Sequence, residues 1–220
     1  MSQLKDKNNI IQKYEKESFT MKKENLFFLF ILLFFTACQT LPNITPENPE
    51  KDSYVSGRWN DSDARKVAEE MIHDCLSRDW LFNFIKKHNG ENPTVIVGKI
   101  KNKTSEHIDV KPFIGSIQKA LINSGKVNFV ASKYEREEVR EERIDQAKNA
   151  RENTQKGPGE EIGADFMLKG VLTSIRDQSG GTTLMFYQID LKLINMANNR
   201  IEWVGEKKIR RKIERSRWTL

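Results

Sequence analysis

The sequence predicts one small α/β domain of the α+β type, in which a mixed sheet of about five strands is flanked by helices. Two observations lead to this prediction. Between residues 61 and 131 two amphipathic helical patterns alternate with two short segments rich in β-branched residues, and the last third of the chain contains three strand patterns separated by turn residues. From residue 54 onward the chain is long enough for a single domain with its own core.

The first predicted helix begins at Asp61 or Ser62, either of which can cap it. Its apolar residues recur at three- and four-residue steps, which is typical of a helix with one buried face. These residues are Val67, Ala68, Met71, Ile72, Cys75 and Leu76, and the stripe continues through Trp80, Phe84 and Ile85. We therefore expect Cys75 to be a buried free thiol, since Cys38 is its only possible disulfide partner and is assigned to the lipid anchor below.

A strand, a helix and a second strand follow. Residues 94–100 (TVIVGKI) predict a buried strand, Asp109 is expected to cap a helix that stops at Gly125, and residues 127–131 (VNFVA) predict the next strand. Strands joined by a helical crossover pair in parallel with a right-handed connection. The sheet should therefore contain at least one parallel pair.

Residues 134–151 predict a highly charged helix with few apolar positions. Two interpretations are open. The helix binds a partner, or it is solvated and stabilised by neighbouring opposite charges such as Glu137 and Arg140.

The last third predicts three strands, at residues 166–175, 183–194 and 200–210, with tight hairpins at Gly180-Gly181 and Asn198-Asn199. One sheet face should be buried, because apolar and polar residues alternate along the second of these strands. Its apolar positions are Met185, Tyr187, Ile189, Leu191 and Leu193. The many Lys and Arg residues after residue 206 either contact anionic lipid or wall polymer, or protect an exposed strand edge.

The N-terminus has the pattern of a bacterial lipoprotein signal peptide. A basic Lys22-Lys23 pair precedes ten apolar residues at 26–35, and the small residues Thr36 and Ala37 lead to Cys38. The apolar run is too short to span a bilayer, which takes about 20 residues. We expect residues 1–37 to be removed and Cys38 to carry the lipid. We expect Met21 to be the true start, in which case residues 1–20 are not translated; the alternative is an unusually long basic region before the apolar run.

Residues 38–53 predict a disordered tether, because they contain three prolines and almost no apolar side chains. The tether reaches at most roughly 50 Å at about 3.3 Å per residue. The formal net charge of +6 falls to +4 when residues 1–37 are removed. This mild basic balance, in an exported chain, argues against a nucleic-acid partner and favours anionic lipid headgroups or wall polymers as counter-charges.

No motif predicts a catalytic or metal site. His73, His88 and His107 have no Cys or His at metal-ligand spacing, and the Gly-rich run at residues 157–163 lacks the Lys-Ser/Thr of a phosphate loop. The adjacency of Ser105, Glu106 and His107 is not evidence of a triad, whose side chains must converge in space. We therefore expect no cofactor, no metal, no small-molecule substrate and no enzymatic activity.

Two polar groups are candidates for a partner-binding surface. Asn102, Glu106 and His107 follow the first strand, where an open α/β sheet presents its binding loops. Arg58 and Trp59 belong to the residue types that dominate interface hot spots, although Trp59 packing on the domain is the simpler interpretation. A third candidate is the sheet surface around Lys169 and Lys192. It would be the contact surface if the first two groups only support the fold.

Five ordered segments resemble the LpoB family of outer-membrane lipoproteins. They are residues 55–63 (VSGRWNDSD), 102–109 (NKTSEHID), 121–130 (LINSGKVNFV), 163–170 (GADFMLKG) and 187–191 (YQIDL). The resemblance implies a lipid-anchored tether and a domain at residues 54–220 akin to the amino-terminal domain of TolB. It also implies that the protein binds a bifunctional, class A penicillin-binding protein in the periplasm. As an allosteric protein ligand it would stimulate glycan polymerisation and peptide cross-linking, without bond chemistry of its own.

The short tether departs from the best-known members of this family, whose longer tether crosses the wall. A narrower envelope, an inner-membrane location or another partner would each account for the difference. Gln39 lacks the acidic signal that retains some lipoproteins on the inner membrane, which favours the outer membrane. The alternative function is a structural or assembly lipoprotein that binds another outer-membrane protein or the wall itself.

Overall fold

The structure, a computed structural model, describes residues 46, 48, 51–52 and 56–214. The predicted signal peptide, Cys38 and most of the tether lie outside the described residues, as do residues 215–220. Within the described part of the chain, no helix combines the length and apolar character needed to cross a membrane.

Residues 56–214 form helices and strands in the predicted order. One further helix is present, which the sequence pattern had joined to the first helix. The helices are α1 (Asp61–Leu76), α2 (Asp79–Lys87), α3 (Lys111–Asn123) and α4 (Lys133–Asn149). The strands are β1 (Thr94–Asn102), β2 (Asn128–Phe129), β3 (Phe166–Ser179), β4 (Thr182–Asn195) and β5 (Ile201–Glu214). In the sheet they lie in the order β2-β1-β3-β4-β5.

The sheet is mixed, which confirms the predicted α+β class. β1 pairs in parallel with both β2 and β3, while β3, β4 and β5 form an antiparallel meander. The parallel pair joined by the α3 crossover is the one that the order of elements predicted. β2 is shorter than predicted, since only two of its residues pair with β1.

The core lies between one face of the sheet and the helices α1, α2 and α3. β4 supplies the alternating buried residues, as predicted, and Phe113, Ile117 and Leu121 line the inner side of α3. Tyr187, at the centre of β4, is fully buried. The free thiol of Cys75 is also buried, which confirms the placement of the α1 stripe.

The predicted cap of the first helix was wrong by one residue. The predicted continuation of this helix through Trp80, Phe84 and Ile85 was also wrong. Asn60 is the N-cap of α1, since its side chain accepts a hydrogen bond from the Asp63 N–H and the Asp63 carboxylate accepts one from the Asn60 N–H. The stripe beyond Leu76 belongs to a separate helix, α2. α1 ends at its C-cap Ser77, and across the turn the Trp80 Nε1–H donates to the carbonyl of Cys75 at 2.7 Å.

Two turns follow their sequence signals to different degrees. Gly180 and Gly181 have φ of 53° and 84° and join β3 to β4 directly, as expected for a two-residue hairpin. The Asn198-Asn199 turn is not tight, because residues 196–200 all lie outside the strands. Asp109 does not cap α3 but precedes its N-cap, Val110, and accepts a hydrogen bond from the Lys111 N–H at 2.9 Å.

The charged helix α4 has no buried residue, which agrees with the solvated interpretation. Its closest ion pairs are not those that spacing suggested. The Arg140 guanidinium donates two hydrogen bonds to Glu161, at 2.6 and 2.8 Å, and Arg136 donates a third to the same carboxylate at 3.0 Å. The loop that follows α4 therefore folds back onto it through Glu161.

Candidate partner-binding site

The loop after β1 is held in shape by Asn102. Its Nδ2–H₂ donates to the carbonyls of Glu106 and Ile108, at 2.9 and 3.3 Å, and its Oδ1 accepts from the N–H and the hydroxyl of Thr104. A side chain that bonds to its own loop in this way replaces the backbone pairing that ends with the strand. Asn102 is therefore a scaffold residue that positions Glu106 and His107.

Glu106 contacts Tyr187 from across the domain. The Tyr187 hydroxyl donates to Glu106 Oε2 at 2.7 Å and accepts a hydrogen bond from the Trp59 N–H at 3.1 Å. Burial, followed by the hydrogen bond to Glu106, raises the pKa of Tyr187 well above its usual range. The hydroxyl thus stays protonated, so it joins two segments and is not suited to act as a base.

Trp59 packs on the domain, as the simpler interpretation held. Its indole meets Phe113 edge-on at a centroid distance of 5.9 Å and lies 6.0 Å from the tilted ring of Tyr187. Such aromatic pairs contribute about 0.5–1.5 kcal/mol beyond the area that they bury. Trp59 therefore fixes the backbone that presents Arg58.

Arg58 completes the cluster. Its Nε lies 3.9 Å from Glu106 Oε1, and its carbonyl accepts a hydrogen bond from Arg211 at 3.0 Å. Gly57 has φ of 68°, and a Cβ there would approach Ile213 Cγ1 to 2.6 Å, so only glycine lets the chain pass β5 at this point. Arg211 also forms an ion pair with Asp63 at the start of α1.

These contacts bring Arg58, Trp59 and Glu106 together over the buried Tyr187, and His107 is the next residue of the same loop. We call Arg58, Trp59, Glu106 and His107 the loop patch. The Arg58 side chain is 69% exposed and that of Glu106 is 20% exposed, and His107 is exposed. The patch contains a cation, a carboxylate and an imidazole, and hydrogen bonds to Tyr187 hold its base. It is suited to recognising a polar protein surface.

Lys169 and Lys192 lie elsewhere. They occupy directly opposed positions on β3 and β4, and their neighbours Leu168, Leu191 and Leu193 are buried against the helices. Successive strand residues point to opposite faces, so the two lysines lie on the sheet face that α1 and α3 do not cover. We call this surface the outer sheet face.

Sequence reasoning placed Tyr187 only in the core and missed its part in the site. The available signal was a hydroxyl in an otherwise aliphatic alternation, because a buried tyrosine hydroxyl usually has a hydrogen-bond partner. Across residues 56–214 and the few described before them, no three His, Cys, Asp or Glu side chains are grouped as a metal site would require.

The described residues thus define a small α+β domain with a rigid polar surface at one end of its sheet. The model of the family described as peptidoglycan-synthase activator LpoB matches residues 63–209, and the chain belongs to this family. A search of curated proteins finds no match.

Several solved structures are similar to this chain. The LpoB C-terminal domain from Salmonella enterica is 15% identical, with 67% of this chain and 98% of that chain covered and a TM-score of 0.41. The NMR structure of E. coli LpoB is 14% identical, with 80% and 86% covered and a TM-score of 0.39. Lipoprotein GNA1162 from Neisseria meningitidis is 16% identical, with 56% and 86% covered and a TM-score of 0.33. The assignment to the family rests on the family model.

Proposed function

We propose that this chain is a lipid-anchored protein of the outer membrane whose domain lies in the periplasm and binds and activates a class A penicillin-binding protein. Membership of a family of peptidoglycan-synthase activators supports this proposal. The observation that carries it is the loop patch, in which segments distant in sequence meet at Tyr187. A prearranged polar surface favours protein binding, because little side-chain freedom is lost when the complex forms.

Activation follows from differential binding. A ligand shifts a conformational equilibrium only by the difference between its affinities for the two states. A tenfold rise in the ratio of active to inactive synthase therefore needs about 1.4 kcal/mol of extra affinity for the active state. Arg58 and His107 are the exposed residues of the patch that can supply it, whereas Trp59 and Asn102 hold the surface in shape. The domain itself makes and breaks no bonds in this scheme.

The test uses the mature chain with its own cell's class A synthases, and it measures glycan polymerisation rate and binding affinity. We expect Arg58→Ala with His107→Ala to weaken binding by at least about 1 kcal/mol, roughly fivefold. Lys169→Ala with Lys192→Ala is the matched control, since it removes two exposed or half-exposed cations from the outer sheet face, and it should bind normally. Loss of binding in the control alone would move the contact surface to the outer sheet face.

Glu106→Gln separates charge from scaffold at the same place. The amide oxygen can still accept the Tyr187 hydroxyl, so the domain should unfold at an unchanged temperature while the negative charge is lost. Weaker binding by Glu106→Gln would assign the carboxylate to the contact. If no class A synthase responds to the wild-type chain, the activator proposal fails, and a structural or assembly role in the envelope takes its place.

The anchor has a separate test. Three acyl chains at Cys38 would bind membrane in proportion to their buried CH₂ groups, at about 0.8 kcal/mol each. We expect Cys38→Ala to leave the chain unprocessed or in the aqueous phase after detergent partitioning. A variant that still enters the detergent phase would show that Cys38 carries no lipid.

A further inference from the structure

A second candidate binding site lies at the end of β1 opposite the loop patch. It is a cleft of about 590 Å³ between the last turn of α2, the start of β3 and the turn that joins β4 to β5. This volume falls within the range of small-ligand sites, about 300–1,000 Å³. We call it the end cleft.

The floor of the end cleft is aromatic and fixed. Phe166 meets Trp80 and Phe84 edge-on, at centroid distances of 4.9 and 5.3 Å. The only polar atom of these three side chains, Trp80 Nε1, already donates to the Cys75 carbonyl. The floor therefore offers apolar contact without an unsatisfied donor.

His88 stands at the rim in a set orientation. Its ring stacks on Phe84 at 3.9 Å with an interplanar angle of 17°, and its Nδ1 lies 2.8 Å from the Phe84 carbonyl oxygen. A carbonyl oxygen only accepts, so Nδ1 carries a proton and donates it. Within residues 56–214, Nε2 has no hydrogen bond, so it is the ring atom left to meet a ligand.

The wall formed by the β4–β5 turn is held by its own hydrogen bonds. The Met196 N–H donates to the Asp165 carbonyl at 2.8 Å, and the side chains of Asn195 and Asn198 accept from the N–H groups of Ala197 and Arg200 at 3.0 Å each. The cleft is thus formed before any ligand arrives.

Charges of both signs line this wall and the α2 side. Lys87 has no carboxylate within 4.0 Å in the described part of the chain, and Arg200 Nε is only loosely paired with Glu202 at 3.9 Å. The two carboxylates are held in place: Asp165 accepts the Thr94 N–H at 2.7 Å, and Glu202 accepts from Asn195 at 3.4 Å. Two cations and two carboxylates in one cleft complement a ligand that itself carries both charges.

We propose that the end cleft binds a zwitterionic peptide. Its free carboxylate lies against Lys87 and Arg200, its free ammonium group lies against Asp165 or Glu202, and its carbon chain covers Phe84 and His88. The uncrosslinked peptides of the bacterial wall carry a free amine and free carboxylates, and the choice of this class of peptide rests on the proposed function. The protein would then detect newly made wall at one end of the sheet while it binds the synthase at the other.

The experiment titrates the mature chain with a soluble disaccharide-peptide that has a free side-chain amine and a free terminal carboxylate. We expect Lys87→Gln with Arg200→Gln to weaken binding about tenfold, which is the loss of charge-assisted hydrogen bonds worth about 1.4 kcal/mol. Lys169→Gln with Lys192→Gln removes the same charge at positions that do not line the cleft, and it should bind as the wild type does. N-acetylation of the amine, or amidation of the carboxylate, should each weaken binding.

Three results would overturn the proposal: no binding by the wild type, equal losses in the two double variants, or full affinity for the acetylated and amidated peptides. Synthase activation is measured on the same samples. Activation without peptide binding overturns only the proposal that the end cleft binds a peptide. Peptide binding without activation overturns only the proposed function.

Discussion

The two longest helices of the domain, α1 and α4, begin with the same kind of cap but are held to the domain by different forces. Each starts with a reciprocal capping box, Asn60 with Asp63 in α1 and Ser132 with Glu135 in α4. Nine residues of α1 are buried, whereas α4 buries none. α1 is therefore stabilised by burial of its apolar face, and α4 by its cap and the ion pairs to Glu161.

The same capping position consequently has opposite electrostatics in the two helices. Burial raises the pKa of Asp63, and this effect outweighs the attraction of Arg211. Hydrogen bonds from Ser132 lower the pKa of the more exposed Glu135. A shared motif thus gives the same local structure, while the surroundings decide how the helix responds to pH.

The largest expected contrast is in thiol reactivity. Burial raises the pKa of Cys75 to about 12, and only thiolate reacts with a maleimide. In a Cys38→Ala background, folded protein should label at Cys75 at least about a thousandfold more slowly than the denatured chain, because labelling needs the core to open. Val139→Cys, with Cys75→Ala as well, puts the thiol at a half-exposed position of α4 and should label quickly. Similar rates at the two positions would contradict the packing of α1.

The next contrast is in the free energy of unfolding, measured with urea. Ile72 is 1% exposed on α1, so Ile72→Ala should cost about 2–5 kcal/mol through lost burial and a cavity. Ile144 on α4 is 49% exposed, and Ile144→Ala should stay within about 0.5 kcal/mol of the wild type. A loss of more than 2 kcal/mol at Ile144 would mean that α4 has a buried face.

Arg211→Gln probes the buried ion pair at the start of α1. Asp63 is 4% exposed, so removal of its cationic partner should cost about 1–3 kcal/mol at pH 7. The cost should shrink as the pH falls through the raised pKa of Asp63, because the protonated acid does not need the partner. Arg140→Gln is the control, since Arg140 pairs with Glu161 at the surface of α4 and should change the stability less. A cost that does not depend on pH would assign the effect to lost packing.

The smallest contrast is in how the two helix starts respond to acid. It is measured by amide hydrogen exchange, as the protection factor of each amide. The pKa of Glu135 is lowered in the folded state. Its contribution to the stability of the fold is therefore present above about pH 4.5 and is lost as the pH falls through the lowered pKa. The pKa of Asp63 is raised in the folded state. Its contribution to the stability of the fold is therefore present below pH 3.8 and is lost only as the pH rises through the raised pKa. The first turn of α4 should therefore lose protection in acid before the first turn of α1. Glu135→Gln, which keeps the cap without the charge, should remove this response in α4.

Elements with a strong local period could be predicted from the sequence. The α1 stripe, the α3 crossover and the alternation of β4 each follow from a single buried face, because burial imposes a period of 3.6 or 2 on the residues themselves. The break between α1 and α2 could not be predicted, since the apolar period continues across it. The break is accompanied by a hydrogen bond from Trp80 Nε1 to the Cys75 carbonyl, which no local period reveals.

The sequence by itself thus determined the order and type of the elements and the parallel crossover, because these depend on near neighbours and on the handedness of short connections. It also supplied the residues of the loop patch, but as two separate groups. Only the tertiary structure decided that they form one surface, through a hydrogen bond between Tyr187 and Glu106, 81 residues apart, and one between Trp59 and Tyr187, 128 residues apart. The order of the strands in the sheet and their register determine such contacts, and no local sequence pattern predicts either.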